Sequence, residues 1–164
     1  MSEISVLFVC LGNICRSPTA HGVFEKMVHE AGLEQKISID SCGTGDWHIG
    51  HSPDERSANA ALARGYDLSH LRSRQITASD FNRFDYILVM DNKNLSDLEA
   101  MCPANFSGQL ELFLSYANSF SNTVEVPDPY YGGASGFDHV IDLVEDASQA
   151  LLNTLQKKLI TTAS

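Results

Sequence analysis

The chain has 164 residues, of which 43% are apolar and 20% charged, with a formal net charge of -10. That length suits one domain, 1–164, able to bury its core without disulfides or metal, and the charge excludes a nucleic-acid binder, which needs a basic footprint. No apolar run approaches the ~20 residues of a membrane span, and the acidic start Met1-Ser2-Glu3 lacks the basic opening of a secretory signal, so a cytoplasmic protein without membrane contact is expected.

Residues 4–9 form a continuous apolar run, the pattern of a strand buried on both faces. Pro18, just after Ser17, marks a helix start with Ser17 near the cap. Val23, Phe24, Met27 and Val28 carry helical spacing onward, and Gly32 supplies a stop. Lys36 to Cys42 alternates, with Ile37 and Ile39 on one side, and predicts a second strand. Residues 43–53 read as a loop rich in Gly, His and Ser. Asp54 to Arg64 reads as a helix ended by Gly65. Tyr86 to Met90 is another buried strand, Asn94 to Met101 a helix and Leu110 to Leu114 a short strand. Residues 115–135 are turn-rich. Ser135-Gly136-Phe137-Asp138 resembles a capping box. It opens a long helix whose apolar face includes Val140, Ile141, Val144, Ala147, Leu151, Leu152 and Leu155. Strands alternating with helices predict an α/β domain with a central parallel sheet. Ligands of such sheets sit at the carboxyl ends of the strands.

Directly after the first strand stands Cys10-Leu11-Gly12-Asn13-Ile14-Cys15-Arg16-Ser17. Gly12 permits a tight turn, and Asn13 tolerates a left-handed conformation. The amides of Leu11, Gly12, Asn13, Ile14, Cys15, Arg16 and Ser17 can then converge on one tetrahedral anion, with the helix start adding its positive end. Arg16 offers a planar fork for two phosphoryl oxygens. The same positive surroundings favour ionised sulfur at Cys10, a nucleophile for in-line attack on phosphorus. Ser17 reads either as a donor to that sulfur or simply as a helix cap. Cys15 reads as a thiol that could form a disulfide with an oxidised Cys10, or as a small filler of a tight loop. Cys42 and Cys102 read as free thiols packed as small apolar groups.

A leaving phenolate or alkoxide needs a proton. Asp128, framed by Pro127 and Pro129 and followed by Tyr130, Tyr131 and two glycines, is the candidate acid. Trp47 in the 43–53 loop, with Tyr130 and Tyr131, could wall a slot for a flat ring. Ser41 and His70 are not singled out by residue type; they enter as a network holding Asn13 only through the resemblance described below. His21, His29, His48, His51 and His139 are read as surface residues. No ligand spacing suggests a metal, and no cofactor is expected.

The run Val6 to Pro18, together with Asp46-Trp47, Arg74-Gln75, residues 84–88 and Asp128-Pro129-Tyr130-Tyr131-Gly132, closely resembles the low-molecular-weight protein tyrosine phosphatases. The resemblance implies a four-stranded parallel sheet flanked by helices. It implies Cys10 as nucleophile, Arg16 as transition-state clamp and Asp128 as proton donor, over a network of Asn13, Ser17, Ser41 and His70. Phosphotyrosine-containing proteins are the implied substrates, and in some relatives a tyrosine kinase acts on the paired tyrosines, here Tyr130 and Tyr131. Two sister groups share the loop. Phosphoarginine phosphatases tend to carry Thr where this chain has Ile14, and arsenate reductases use further cysteines that this chain does not place. A non-catalytic phosphopeptide-binding module and a cysteine phosphoryl carrier are rival readings that the Cys10, Arg16 and Asp128 set disfavours. His21 stands where many relatives have an acidic residue. No apolar stripe demands an oligomer, so a monomer is expected.

Overall fold

The computed structural model describes residues 3–119, 122–129 and 134–163. The chain runs β1 (Ile4–Cys10), α1 (Arg16–Glu30), β2 (Ile37–Gly43), α2 (Glu55–Ala63), α3 (Asp80–Arg83), β3 (Tyr86–Val89), α4 (Asn92–Met101), β4 (Gln109–Leu112) and α5 (Ala134–Ala163). The four strands are parallel in the order β2-β1-β3-β4. The chain therefore steps from β1 to one side and then returns past it to the other. The crevice between the carboxyl ends of β1 and β3 is the switch point where such sheets bind ligands.

The continuous apolar runs follow from burial on both faces. Val6, Phe8 and Cys10 of β1 and Leu88 of β3 join one cluster with Val23, Phe24, Ile141, Val144 and Leu151 of α1 and α5. Leu7, Val9, Ile87 and Val89 join the other, with Ile76, Phe81, Phe84 and Leu98. Phe8 meets Phe24 and Phe113 edge-on at centroid separations of 5.8 and 5.0 Å, the arrangement their quadrupoles favour.

Several boundaries differ from expectation. Asp91 caps α4, accepting from the Asn94 amide at 2.8 Å, so this helix opens two residues before Asn94. β4 ends at Leu112, and Phe113–Tyr116 tighten into a 3-10 turn. α5 already includes Ala134, so Ser135 lies inside the helix and is not its cap. The short helix α3 carries too few residues for a periodic signal. Among the described residues no helix is long and apolar enough to cross a membrane.

Arg64, at the end of α2, ties that helix to α5. Its Nη1 lies 2.7 Å from Asp142 and 3.1 Å from Glu145, and Tyr66 donates to Glu145 at 2.5 Å. The network is partly exposed, so Arg64→Ala is expected to cost only about 1 kcal/mol, a Tm decrease of roughly 2–4 °C in thermal melts. The decrease should shrink in high salt.

Candidate active site

β1 delivers Cys10 to the carboxyl edge of the sheet, where it is 2% exposed. The chain then turns through residues 11–15 into α1. The left-handed residue of that turn is Asn13, with φ of 57°, and Gly12 has no positive φ. The turn is closely backed by β2. A Cβ at Gly43 would lie 2.6 Å from the Leu11 carbonyl oxygen and 3.0 Å from Gly12 C. Only glycine admits that approach, a requirement invisible until β2 is laid beside β1.

The Asn13 amide nitrogen donates to Cys10 Sγ at 3.3 Å, and Ser17 Oγ lies 3.0 Å from the same sulfur. Ser17 is not the helix cap. Its oxygen accepts from Asn13 Nδ2 at 2.7 Å and stands 3.2 Å from the Cys42 carbonyl. A hydroxyl has one proton. With a neutral Cys10 thiol that proton can go to the Cys42 carbonyl; with a thiolate it can turn to the sulfur.

Arg16, the first residue of α1, is 2% exposed. Its Nη1 donates to Asp91 Oδ2 at 2.6 Å and to the Val126 carbonyl at 3.1 Å, while its Nη2 stands 3.7 Å from Asp128 Oδ2. Its Nε is buried with no hydrogen-bond partner among the described residues. Buried guanidinium donors are normally bonded, so an open one on a residue that shares a cavity with Cys10 is a place for an acceptor oxygen. Burial opposes the Arg16 charge, but the Cys10 charge and the Asp91 bond outweigh it and raise its proton affinity.

The sequence reading missed Asp91. One of its oxygens caps α4 and the other orients Arg16. The spacing Asp91-x-x-Asn94 signals the cap, but nothing local signals the arginine. Val126 is held by its own amide donating to Met90 at 2.8 Å, which places the following Asp128 at the end of β3.

Cys10, Leu11, Gly12, Ile14, Cys15, Arg16, Trp47, His48 and Asp128 line one cavity of about 360 Å³. Trp47 is 65% exposed at its mouth, its ring folded over Gly45. His48, read as a plain surface residue, is half-buried in this wall. Tyr130 and Tyr131 lie outside the described residues.

The expected contact of Ser41 and His70 with Asn13 is not made. Ser41 Oγ pairs with His21 Nδ1 at 2.9 Å. His21, expected at the surface, is 7% exposed. Its Nε2 faces Glu25 at 3.5 Å, and His70, 53% exposed, pairs with Glu25 at 3.0 Å. The imidazole of α1 occupies the space between Ser41 and the histidine, and Glu25 draws His70 outward. Asn13 is held by the Arg74 amide instead, which donates to Oδ1 at 3.0 Å.

The four cysteines are free thiols. Burial, first of all, pushes Cys15 up to about 12, the nearby Ser57 opposing this only in part. Cys42 is raised as well, again mainly by burial.

The model of one family, "Low molecular weight phosphotyrosine protein phosphatase", matches residues 5–161. A low molecular weight phosphotyrosine protein phosphatase of Schizosaccharomyces pombe is 47% identical over 155 residues, covering 93% of this chain and 97% of the relative. A low molecular weight protein-tyrosine-phosphatase of Bacillus subtilis is 40% identical over 155 residues, covering 94% and 97%. A solved protein tyrosine phosphatase from Entamoeba histolytica superposes with a TM-score of 0.91 at 41% identity, covering 94% of this chain and 98% of that one.

Proposed function

Because the chain belongs to the low molecular weight phosphotyrosine protein phosphatase family, we propose that it hydrolyses phosphotyrosine in proteins through a cysteinyl-phosphate, with Cys10, Arg16 and Asp128 in the reacting roles. The observation that carries the roles is the open, buried Nε of Arg16, a residue that lines the same cavity as Cys10. A phosphoryl oxygen supplies the missing acceptor.

The Cys10 thiolate attacks phosphorus in line. The S–P bond forms as the P–O bond to the tyrosine breaks, and Asp128 gives its proton to the leaving phenolate. Water then attacks the phosphoryl group, Asp128 takes the proton, and the S–P bond breaks to release phosphate and the Cys10 thiolate. Ser17 donates to the departing sulfur. Arg16 and the loop amides stabilise the equatorial oxygens, the preorganised electrostatic contribution that usually dominates such transfers. Trp47 supplies a flat wall for the phenyl ring. The proton Asp128 takes from water in the second step is the one it gives to the leaving group of the next turnover.

Asp128→Ala is expected to slow phenyl phosphate by roughly 100-fold or more, within the usual range for a general acid. It should slow p-nitrophenyl phosphate much less, because that leaving group needs little protonation. Equal losses on both substrates would remove Asp128 from the acid role.

Cys15 serves under oxidation. Peroxide converts Cys10 to a sulfenic acid, and the Cys15 sulfur then attacks it, expelling water and forming the disulfide. Cys15 is protonated near neutral pH, so closure should accelerate about tenfold per pH unit up to the thiol's own titration.

The experiment that tests the function is phosphate release, with chelator present, from matched phosphotyrosine and phosphoarginine peptides. Release from phosphotyrosine is expected, Ile14 offering the aryl group an apolar neighbour. Preference for phosphoarginine would keep the thiolate mechanism and change the substrate. No release from either would favour a binding module or a phosphoryl carrier.

A further inference from the structure

We propose that Asp80 and Arg74 are a positioning pair for the phosphate loop, holding Asn13 in its left-handed conformation and thereby setting the Ser17 hydroxyl against the Cys10 sulfur. This rests on the thiolate mechanism above, and neither residue lines the cavity.

Asp80 is fully buried. Its two oxygens accept from Arg74 Nη1 and Nη2, each at 3.0 Å, the paired geometry a guanidinium fork makes with a carboxylate. They also accept from the Thr77 amide at 2.8 Å and the Thr77 hydroxyl at 3.2 Å. Arg74 Nε reaches Asp40 at 3.1 Å. Burial opposes the Asp80 charge, but the bonds from Arg74 and Thr77 outweigh it and keep the carboxyl below its usual range. Taking the Asp80 charge out of water costs much of what its pairing with the half-buried Arg74 returns, so what this pair supplies is a fixed place for the main chain of residue 74.

That main chain grips the loop. The Arg74 amide donates to Asn13 Oδ1 at 3.0 Å, and Ser73 Oγ donates to the Gly12 carbonyl at 2.9 Å. The Arg74 carbonyl accepts from Gly43 at 2.8 Å, the glycine whose bare Cα lets β2 touch the turn. Asn13, with φ of 57°, sits where a side chain is disfavoured unless local bonds support it. Its amide provides them, taking the Arg74 N–H on one side and giving a hydrogen to Ser17 on the other. Ser17 then stands 3.0 Å from the sulfur. The path Asp80, Arg74, Asn13, Ser17, Cys10 is a chain of direct contacts.

The test compares Asp80→Asn, Asn13→Ala and the double variant. kcat and KM are measured with an aryl phosphate, and affinities for inorganic vanadate and inorganic phosphate by calorimetry. The asparagine cannot keep both charged bonds of the fork. Asp80→Asn is expected to lower kcat about 10-fold with KM nearly unchanged, since a small misplacement acts on the transition state. Vanadate, which mimics that state, should weaken in parallel while phosphate does not. In the Asn13→Ala background the Asp80 substitution should lower kcat much less, because only the Ser73 and Gly43 contacts remain to be disturbed.

A folded Asp80→Asn protein with wild-type kcat, or the same loss in both backgrounds, would overturn the proposal. If Asp80→Asn does not fold, Arg74→Lys keeps the N–H and the charge but loses the fork. It should show a smaller loss with the same dependence on Asn13, and wild-type kcat there would equally overturn it. If the wild type releases no phosphate, the functional reading fails. The positioning pair is then judged on vanadate alone, where an unchanged affinity in Asp80→Asn rejects it.

Discussion

Cys10→Ser is expected to leave no measurable phosphate release, a loss of more than roughly 10⁴-fold, as for other removed nucleophiles. The change is nearly isosteric at a site only 2% exposed, so the fold and the anion cradle remain. What disappears is the ionised nucleophile. A serine hydroxyl stays protonated at neutral pH, and the group beside it is the Ser17 hydroxyl, which is no base. The variant should still bind phosphotyrosine peptide, and acid quenching should trap a phosphoenzyme in the wild type alone. Turnover by the serine variant, or a wild type whose quenched phosphoenzyme maps to another residue, would dismiss Cys10 as the attacking atom.

Arg16→Lys is expected to lower kcat by roughly 10³-fold, the scale reported for arginines that stabilise a transferring phosphoryl group. Lysine keeps the charge and can still reach Asp91, whose carboxylate also caps α4, so the melting temperature should move little. It cannot present Nε and Nη2 together to two oxygens. Affinity for ground-state phosphate should fall much less than kcat, because the fork matches the flattened transition state better than the tetrahedral ion. A lysine variant within tenfold of wild type would show that positive charge alone suffices at this position. That would leave the open Nε without a catalytic meaning.

The strands could be read along the chain because each central one is buried on both faces, and such burial writes itself as a continuous apolar run. Residues 4–9 and 86–90 are the clear cases. Helix ends followed glycines whose positive φ the structure retains at Gly32 and Gly65. Elements that are short, or framed by distant contacts, escaped. Asp80–Arg83 has four residues and no period. The 3-10 turn at Phe113–Tyr116 continues the apolar pattern of β4 and looks the same in sequence.

The site divides the same way. By itself the sequence determined the turn from Cys10 to Ser17, because a phosphate cradle is assembled from consecutive residues and its chemistry depends on their order. It also determined which acid to examine, since the prolines beside Asp128 mark a shaped loop. Only the tertiary structure decided what holds those parts in place. Asp91, the Val126 carbonyl, Gly43 and the Asp80–Arg74 pair come from segments 27 to 110 positions beyond Arg16. Their side chains carry no local sign of the partner they meet. Ser41 and His70 show the converse: a shared family pattern could name them, yet His21 and Glu25 take up their hydrogen bonds here. A hydrogen bond is settled by which group lies within about 3 Å, and for residues far apart in sequence that distance is set by the packing of the whole sheet and its helices.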